Sequence, residues 1–331
     1  MEWVSAVLGE ATARGTRCRL CPHECVLGPG QVGACKVRRG TAGGLETATF
    51  ATSVVHVDAV ERKPLFHYKP GSRAVTLAAP GCSFRCDYCV NFRISQYGRD
   101  DDAVWAARPV DVDDVIARAA ASGGCVALSY TEPSLAIELT LELARRGRDA
   151  GVEVVWKSNG FLTPEAIELC APALAAVNID LKGVAEDSHR RLTGGDVRPV
   201  IAAIRAFREL GVWVEVSTPL IPGVTEPSAV AEVVAGIGVD IPWHLLRFTP
   251  AYRMRDPDPT GPQVLAEAAA AGRRAGLRHV YVERALGEAG RATTCPACGG
   301  TVISREVWSL RENRLAAGRC PDCGTGIEGR W

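Results

Sequence analysis

The sequence has no long apolar run and no excess of either charge. No stretch approaches the roughly 18 consecutive apolar residues that a membrane helix needs, and the opening MEWVSAVLGEATARGTRC contains no apolar signal-peptide core. The 38 basic residues balance the 38 acidic ones, so no overall field favours nucleic acid or an anionic membrane. We therefore expect a cytoplasmic protein without a membrane partner, and the lack of a basic stripe disfavours nucleic acid.

Cysteine, in contrast, is abundant and unevenly distributed. Of the 13 cysteines, eleven fall into three local groups with the spacing of metal ligands, which indicates metal binding in a reducing compartment. The other two, Cys125 and Cys170, stand at the start of an apolar run and at the end of a helical stretch. We predict that both are small buried hydrophobic residues rather than reactive thiols.

The central cysteine group, GCSFRCDYC, lacks the fourth ligand of a closed zinc site. Cys82, Cys86 and Cys89 stand at CxxxCxxC spacing directly after the apolar run 74–79. Structural zinc takes four protein ligands, whereas a [4Fe-4S] cluster on three cysteines keeps one iron free for a small molecule. The spacing and position therefore predict an open-sided [4Fe-4S] cluster, in preference to a zinc knuckle or a redox pair.

The first cysteine group occupies one glycine-rich loop. Four soft ligands within a short loop close a metal site by themselves, and here they are Cys18, Cys21, Cys25 and Cys35. The spacing does not separate zinc from an auxiliary iron-sulfur cluster, so both occupants stay open. His23 lies within the same loop, and we predict that it is exposed rather than a ligand.

The last cysteine group consists of two knuckles, CPACGG and CPDCG. Its ligands would be Cys295, Cys298, Cys320 and Cys323, which predict a zinc ribbon in which the metal replaces a core that so short a segment cannot bury. A rubredoxin-like iron site is the alternative. We accordingly expect an N-terminal four-cysteine metal-binding segment at 1–44, a main domain at 45–287 and a C-terminal ribbon at 288–331.

Between these groups the sequence alternates between strand-like and helical patterns. Strand-like apolar runs lie at 74–79, 125–129, 152–156, 176–181, 212–217, 243–248 and, more briefly, 279–282. Amphipathic helical segments lie at 112–121, 134–150, 164–170, 198–210, 228–236 and 263–275. Repeated β-α units require a parallel sheet with right-handed crossovers. We predict the α/β class, with a partial (β/α)6 barrel rather than a closed eightfold one.

Polar motifs follow the predicted strands. They read YTEP at 130–133, KSNG at 157–160, DLKG at 180–183, TPLIPG at 218–223 and TPAYRM at 249–254. The carboxyl ends of parallel strands share one end of such a barrel, where the chemistry of these folds is found. We therefore expect these motifs to gather with the central cysteine loop.

The order of these motifs resembles a known enzyme family. GCSFRCDYC, SYTEPS, KSNGF, NIDLKG, HRRLTG and TPLIPG are similar to the motifs of pyruvate formate-lyase activating enzymes, and the two cysteine-rich appendages resemble those of the AmmeMemoRadiSam system radical SAM enzymes. The resemblance implies a [4Fe-4S] cluster that reductively cleaves S-adenosylmethionine (SAM) to a 5′-deoxyadenosyl radical, which abstracts hydrogen from an unidentified small molecule or partner protein. It also implies a reducing donor such as flavodoxin or ferredoxin.

The resemblance assigns SAM contacts to particular residues. It implies that Tyr88 lies beside the adenine, that Thr131 and Glu132 meet the methionine amino group, and that Asp180 and Lys182 reach the SAM carboxylate and ribose region. No catalytic residue follows from it.

Two departures from the family pattern concern the third and sixth loops. Lys157 stands, two residues before Asn159, where the activating enzymes have an aspartate that helps to hold a monovalent cation. We expect the Lys157 ammonium to replace that cation and pair with Asp180, and we predict that Lys157 and Asn159 are both cofactor-binding residues. Thr249 replaces a histidine often found in the sixth loop, and we predict that His244 is a core residue.

Two other functions stay open at this point. The barrel motifs are also compatible with an activating enzyme for a glycyl-radical enzyme. A zinc and iron-sulfur module that carries electrons or scaffolds a complex is the alternative of another class. Such a module would have no need for Glu132, Asp180 and Lys182 beside a three-cysteine loop.

Overall fold

The computed structural model describes residues 2–101, 107–282, 284 and 286–331. The chain begins with short strands that form two small antiparallel sheets, of order β1-β6-β5 and β2-β3-β4. They are β1 (Val4–Ala6), β2 (Gly9–Thr12), β3 (Gly15–Cys18), β4 (Val26–Leu27), β5 (Arg38–Gly40) and β6 (Leu45–Thr47), and a further short strand, β7 (Ala51–Thr52), follows them. Strand β6, just past the predicted boundary at residue 44, thus pairs with strands of the N-terminal segment.

The main sheet has eight strands in the order β16-β15-β14-β13-β12-β11-β9-β8. The strands after β7 are β8 (Val55–Ala59), β9 (Arg73–Leu77), β10 (Arg108–Pro109), β11 (Cys125–Leu128), β12 (Val154–Ser158), β13 (Ala176–Asp180), β14 (Trp213–Leu220), β15 (Trp243–Arg247) and β16 (Val280–Val282). Neighbours are parallel except β8 and β9, and β10 pairs with β7 outside this sheet.

Helices separate the parallel strands. They are α1 (Phe92–Ser95), α2 (Val112–Ala121), α3 (Ile137–Gly147), α4 (Pro164–Cys170), α5 (Glu186–Thr193), α6 (Arg198–Glu209), α7 (Pro227–Ile237) and α8 (Pro262–Arg274). The six predicted helices and seven predicted strands are confirmed, each within three residues at either end. Within the described ranges, every helix is too short or too polar to cross a lipid bilayer.

Three local features differ from the sequence predictions. The β-branched stretch TATFATSVVHVDAV predicts one or two strands before the main core, but β8, which lies in it, pairs antiparallel with β9 and forms an edge of the main sheet. Helix α3 begins later than predicted because Pro133–Ala136 forms a 3₁₀ turn first. Helix α5 was not predicted, since its sequence EDSHRRLT contains Leu192 as its one aliphatic residue and so lacks an apolar period.

Buried apolar side chains fill the space between sheet and helices. The core includes Trp156, Val177, Phe207 and Trp243, all fully buried. Cys125 and Cys170 are buried as well, at 2% and 0% exposure, which confirms their predicted structural role. Because the parallel register aligns Leu77, Leu128 and Trp156, the loops that follow these strands start at the same edge of the sheet.

The opposite end of the sheet contains a buried polar network centred on Glu215. Its carboxylate is fully buried and accepts hydrogen bonds from the backbone nitrogens of Phe66 and His67, at 3.0 and 2.8 Å. His244 Nε2 lies 2.7 Å from the same carboxylate, which confirms that His244 is a core residue. One carboxylate therefore holds the segment before β9 against the sheet.

The C-terminal segment packs on this network. Its strands β17 (Thr293–Thr294), β18 (Thr301–Arg305) and β19 (Leu310–Asn313) form an antiparallel sheet. An arginine in so short a segment is usually solvent-exposed, but Arg305 is 1% exposed and donates to the carbonyl of Phe66 at 2.6 Å and to Thr293 Oγ1 at 2.9 Å. The buried guanidinium thus ties the segment to the main domain.

His67 joins the main domain to the chain's last residues. Its Nδ1 lies 2.6 Å from the carbonyl of Glu328, and its Nε2 lies 2.6 Å from the hydroxyl of Tyr281. A neutral ring protonated on Nδ1 satisfies both bonds, since Nδ1 then donates to the carbonyl and Nε2 accepts from the phenol. Burial, reinforced by His279, lowers the pKa of His67 well below its usual value.

We therefore expect stability to decrease as the pH falls below about 6.5, the pKa of histidine in an unfolded chain. His67 stays neutral in the folded state, so the unfolded state binds one more proton and the free energy of unfolding falls. The His67 contribution should reach about 1 kcal/mol one pH unit below that value. Urea unfolding at about pH 6.5 and one pH unit lower measures this contribution of His67 to the free energy of unfolding. His67→Gln should show a smaller pH-dependent loss than the wild type, and an equal loss would contradict the assignment.

Candidate active site

One cavity of about 350 Å³ lies at the carboxyl edge of the sheet. All ten residues predicted to bind the cofactors line it: Cys82, Cys86, Tyr88, Cys89, Thr131, Glu132, Lys157, Asn159, Asp180 and Lys182. The motifs of the first four loops therefore gather as the sequence predicted. Pro219 and the segment 246–249 line the far wall, and Thr249 is exposed there.

The three-cysteine loop forms one wall of the cavity. Cys82 Sγ accepts hydrogen bonds from the backbone nitrogen of Phe84 at 3.4 Å and from Asn159 Nδ2 at 3.6 Å, and Cys89 Sγ lies 3.1 Å from Ser95 Oγ. Hydrogen bonds to cysteine sulfur are a feature of iron-sulfur ligation. Burial raises the pKa of the Cys86 thiol to about 12, although Lys182 opposes the shift. A metal centre would therefore displace a proton here.

Asp180 lies between two lysines. Lys157 Nζ contacts Asp180 Oδ1 and donates to Asn178 Oδ1 at 2.7 Å, while Lys182 Nζ lies 2.8 Å from Asp180 Oδ2. The ion pair between Lys157 and Asp180 predicted from the sequence is thus confirmed. Burial would raise the pKa of Asp180, but the two ammonium groups outweigh it and lower the pKa to about 2. Two cations on one carboxylate leave this wall with a net positive charge.

Glu132 connects two loops of the cavity. It is 1% exposed, and its Oε1 accepts hydrogen bonds from Ser134 N at 3.0 Å and Ser158 Oγ at 2.7 Å. Its Oε2 accepts from the backbone nitrogen of Asn159 at 2.8 Å. Burial raises the pKa of Glu132, and these hydrogen bonds oppose the shift. The carboxylate therefore holds the loop after β12 against the loop after β11.

Tyr88 contributes an unpartnered hydroxyl. The residue is 8% exposed and lines the cavity, and its buried oxygen has no hydrogen-bond partner among the described residues. Lys182 Nζ lies 5.9 Å from the centre of its ring. Buried hydroxyls are nearly always paired, so this oxygen fits a cavity whose ligand supplies the partner.

The sequence assigned no role to several polar residues beside the cavity. Tyr130 adopts φ +70, a left-handed conformation that is strained for a bulky residue, and lines the cavity. Its hydroxyl lies 3.2 Å from both His56 Nε2 and Asp58 Oδ2. Asp58 also binds the buried ammonium of Lys63 at 3.0 Å. The alternation in VHVDA, which sets His56 and Asp58 on one face of β8, is the signal that marks this group.

The C-terminal cysteines form a compact group. Their four sulfur atoms all lie within 4.8 Å of one another, with Cys295 and Cys323 separated by 3.5 Å and Cys298 and Cys320 by 3.7 Å. A tetrahedral ion with metal-sulfur bonds of about 2.3 Å keeps its ligand sulfurs about 3.8 Å apart. This group therefore has the geometry of a site for one metal ion.

The N-terminal cysteines line a second, small cavity. Cys18, Cys21 and Cys35 are buried, and Cys25 is partly exposed. His23, predicted to be exposed, is instead partly buried: its Nε2 lies 2.9 Å from the carbonyl of Ser83, and its ring packs edge-on against Phe161. The prediction was wrong because the main domain covers this loop.

The chain is similar to several known proteins, and its central part matches one superfamily. Residues 77–233 match the sequence profile of the Radical SAM superfamily. An uncharacterized protein of Methanocaldococcus jannaschii is 31% identical over 320 residues, which cover 94% of this chain and 95% of the relative. The isethionate sulfite-lyase activating enzyme of Nitratidesulfovibrio vulgaris is 28% identical over 167 residues, which cover 48% of this chain and 54% of that enzyme. This chain therefore spans about half the length of that activating enzyme.

A solved structure also matches. A radical SAM methyltransferase from Sphaerobacter thermophilus aligns with a TM-score of 0.48 and 20% sequence identity, covering 71% of each chain.

Replacing Glu132 should destabilise the fold. In Glu132→Gln the amide nitrogen would face donors that now bind carboxylate oxygen, leaving a buried donor unpaired, at a cost of about 1–3 kcal/mol in the free energy of unfolding. Glu168→Gln, an exposed change on α4, should alter that free energy by no more than about 0.5 kcal/mol. Urea unfolding of both variants is the measurement. Equal midpoints would show that Glu132 does not hold the two loops together.

Proposed function

We propose that this chain, which belongs to the radical SAM superfamily, binds a [4Fe-4S] cluster through Cys82, Cys86 and Cys89 and cleaves SAM reductively. One observation carries the proposal: the three thiols share one cavity with a positively charged wall and an unpartnered buried hydroxyl. When bound, the cluster supplies the electron that converts SAM into methionine and a 5′-deoxyadenosyl radical for hydrogen abstraction. The donor set, three thiols with no fourth ligand in their loop, fits such a cluster.

The residues around the cysteines would bind and orient SAM. The pair of lysines on Asp180 offers a net positive charge to the methionine carboxylate, and the depressed pKa of Asp180 keeps its own carboxylate ionised at neutral pH. Tyr88 offers its free hydroxyl to the nucleoside. Thr131 stands beside Glu132 on the wall proposed to meet the methionine amino group. Holding SAM against the cysteine loop makes electron transfer effectively intramolecular.

Glu132 would act mainly by positioning. Its oxygens already bind Ser134, Ser158 and Asn159, so it fixes the loop that carries Asn159. Asn159 in turn donates to Cys82 Sγ at 3.6 Å and to Ser83 Oγ at 3.0 Å. The same buried carboxylate therefore connects the SAM wall with the cysteine wall.

The finer architecture belongs to the same proposal. We regard the main sheet with its helices as a partial (β/α)6 barrel spanning 45–287, with a metal-binding segment at 1–44 and a ribbon at 288–331. The compact thiol group at the C-terminus supports a structural zinc ion, and its geometry is equally compatible with a single iron. The substrate would be a small molecule or a partner protein, and the electron donor a flavodoxin or ferredoxin.

Activation of a glycyl-radical enzyme is the second candidate. The similarity to the isethionate sulfite-lyase activating enzyme supports it, although the match covers 48% of this chain. The two four-cysteine appendages distinguish the present chain from a minimal barrel. An assay for a glycyl radical in a co-expressed partner would separate the two functions, since SAM cleavage alone is common to both.

Removing one cluster ligand should abolish SAM cleavage. After anaerobic reconstitution with iron and sulfide, reduction with dithionite in the presence of SAM should yield 5′-deoxyadenosine from the wild type and none from Cys86→Ala. The variant should also lose the EPR signal of this cluster while it keeps the metal of the ribbon. Cys170→Ala is the matched control, because Cys170 is fully buried and lies outside the cavity. Nucleoside production by Cys86→Ala would refute the assignment.

Replacing Lys157 should weaken SAM binding and create a need for a monovalent cation. The loss of a charged hydrogen bond costs about 1.5 kcal/mol, or roughly tenfold in Kd. Potassium should partly restore the affinity of Lys157→Ala, because an ion can then neutralise Asp180, while the wild type should be insensitive. Lys69→Ala, outside the cavity, should bind SAM normally. Titration calorimetry with and without potassium tests this, and a potassium-dependent wild type would contradict it.

A further inference from the structure

The small N-terminal cavity contains more than four thiols. Besides Cys18, Cys21, Cys25 and Cys35, its walls include the guanidinium of Arg38. Arg38 is 1% exposed, and its Nη2 donates to Glu138 Oε1 at 2.9 Å. Its Nε and Nη1 are also buried, yet they have no hydrogen-bond partner among the described residues.

Two idle donors on a buried guanidinium indicate a missing anion. Burying a charged donor without a partner is costly, and native structures pair nearly all such groups. Glu138 offers one carboxylate, whose Oε1 also accepts from the backbone nitrogen of Val7 at 2.9 Å and whose Oε2 has no partner among the described residues. Four thiolates around a metal centre would supply the negative charge that Arg38 faces across the cavity.

The spacing of the thiols separates this site from the ribbon. Among the described residues, the ribbon group alone has ligand atoms that all lie within 4.8 Å of one another, the arrangement that a single ion requires. The N-terminal four, like the three of the cluster loop, are spread around a cavity instead. A centre with several metal ions fits such a spread set better than one tetrahedral ion.

We propose that Cys18, Cys21, Cys25 and Cys35 hold a second iron-sulfur cluster, not zinc, and that Arg38 balances its negative charge. Ala34 already donates its backbone nitrogen to Cys25 Sγ at 3.4 Å, a contact of the kind that tunes such clusters. Arg38 lies beyond the ligand set and acts on the cluster through its charge.

The loop that would hold this second centre packs against the loop of the proposed SAM cluster. A Cβ on Gly81, the residue before Cys82, would come within 2.8 Å of the carbonyl of Cys35, and Gly81 has φ +84. Arg99 joins the two loops, because its guanidinium donates to the carbonyl of Ala34 at 2.9 Å and to that of Cys82 at 2.8 Å. The backbones of the two ligand-bearing loops are therefore in contact.

The contact between the two loops suggests a route by which an electron could reach the SAM cluster. This electron-transfer role of the N-terminal cluster rests on the proposed function. A reduced flavodoxin or ferredoxin would give one electron to the N-terminal cluster near the partly exposed Cys25. The N-terminal cluster would then be oxidised by one electron as the SAM cluster is reduced by one. The identity of the metal centre does not depend on this role and is tested separately.

Metal analysis of the full chain tests the site. In the triple variant, Cys82, Cys86 and Cys89 are all changed to alanine. After anaerobic reconstitution it should keep about two to four iron atoms per chain, as expected for one [2Fe-2S] or [4Fe-4S] cluster. It should also keep an EPR signal that appears or disappears on reduction. Adding Cys21→Ser and Cys25→Ser to the triple variant should remove both the iron and the EPR signal. If the triple variant holds zinc at this site and no iron, the inference is overturned, while SAM cleavage by the wild type would stand.

A separate measurement tests Arg38. The reduced cluster carries one more negative charge, so Arg38→Met should move its midpoint potential to a more negative value, and Arg38→Lys should restore part of the change. Arg39→Met is the matched control, since Arg39 lies on the same strand but pairs with Glu46 outside the cavity. EPR-monitored titration of the triple-alanine background is the measurement. Equal potentials for the Arg38→Met and Arg39→Met variants would exclude the proposed role of Arg38.

Discussion

The parallel register of the central strands is the constraint on which the cavity depends. Strands β9, β11, β12 and β13 end at one edge of the sheet, and each is followed by a polar loop. The cysteines, Glu132, Lys157 and Asp180 are therefore brought together by backbone hydrogen bonds among largely apolar strands, not by attraction among themselves. Helices on the sheet bury those strands, and the polar loops remain at the edge where a ligand can reach them.

Two carboxylates in this cavity have opposite electrostatic roles. Burial raises the pKa of Glu132, whose partners are two backbone nitrogens and a hydroxyl, so its function is to hold loops together. Asp180 is only partly buried, with 21% of its side chain exposed, and two lysines outweigh the effect of its burial and lower its pKa to about 2. The difference lies in the charge of the neighbours. It gives one wall a fixed shape and the other a net positive charge for an anionic ligand group.

The two cysteine-rich appendages are attached in different ways. The ribbon is anchored at the amino end of the sheet, where Arg305 reaches the carbonyl of Phe66 and Glu215 organises the surrounding network. The N-terminal loop packs instead at the carboxyl edge, against Ser83 and the residues beside Cys82. One appendage therefore stabilises the end of the sheet away from the cavity, and the other lies next to the three-cysteine loop.

The sequence alone determined the alternation of strands and helices, the polar motifs at the strand ends and the division of eleven cysteines into three local groups, because these depend on local periodicity and spacing. It also predicted the pairing of Lys157 with Asp180, because the family resemblance puts the Lys157 ammonium in the place of a bound cation. Only the tertiary structure decided that His23 is covered, that Arg305 is buried, and that Arg38 faces four thiols. Those contacts join residues far apart in the chain, and a charged side chain in a strand or loop carries no local signal of whether another element will cover it.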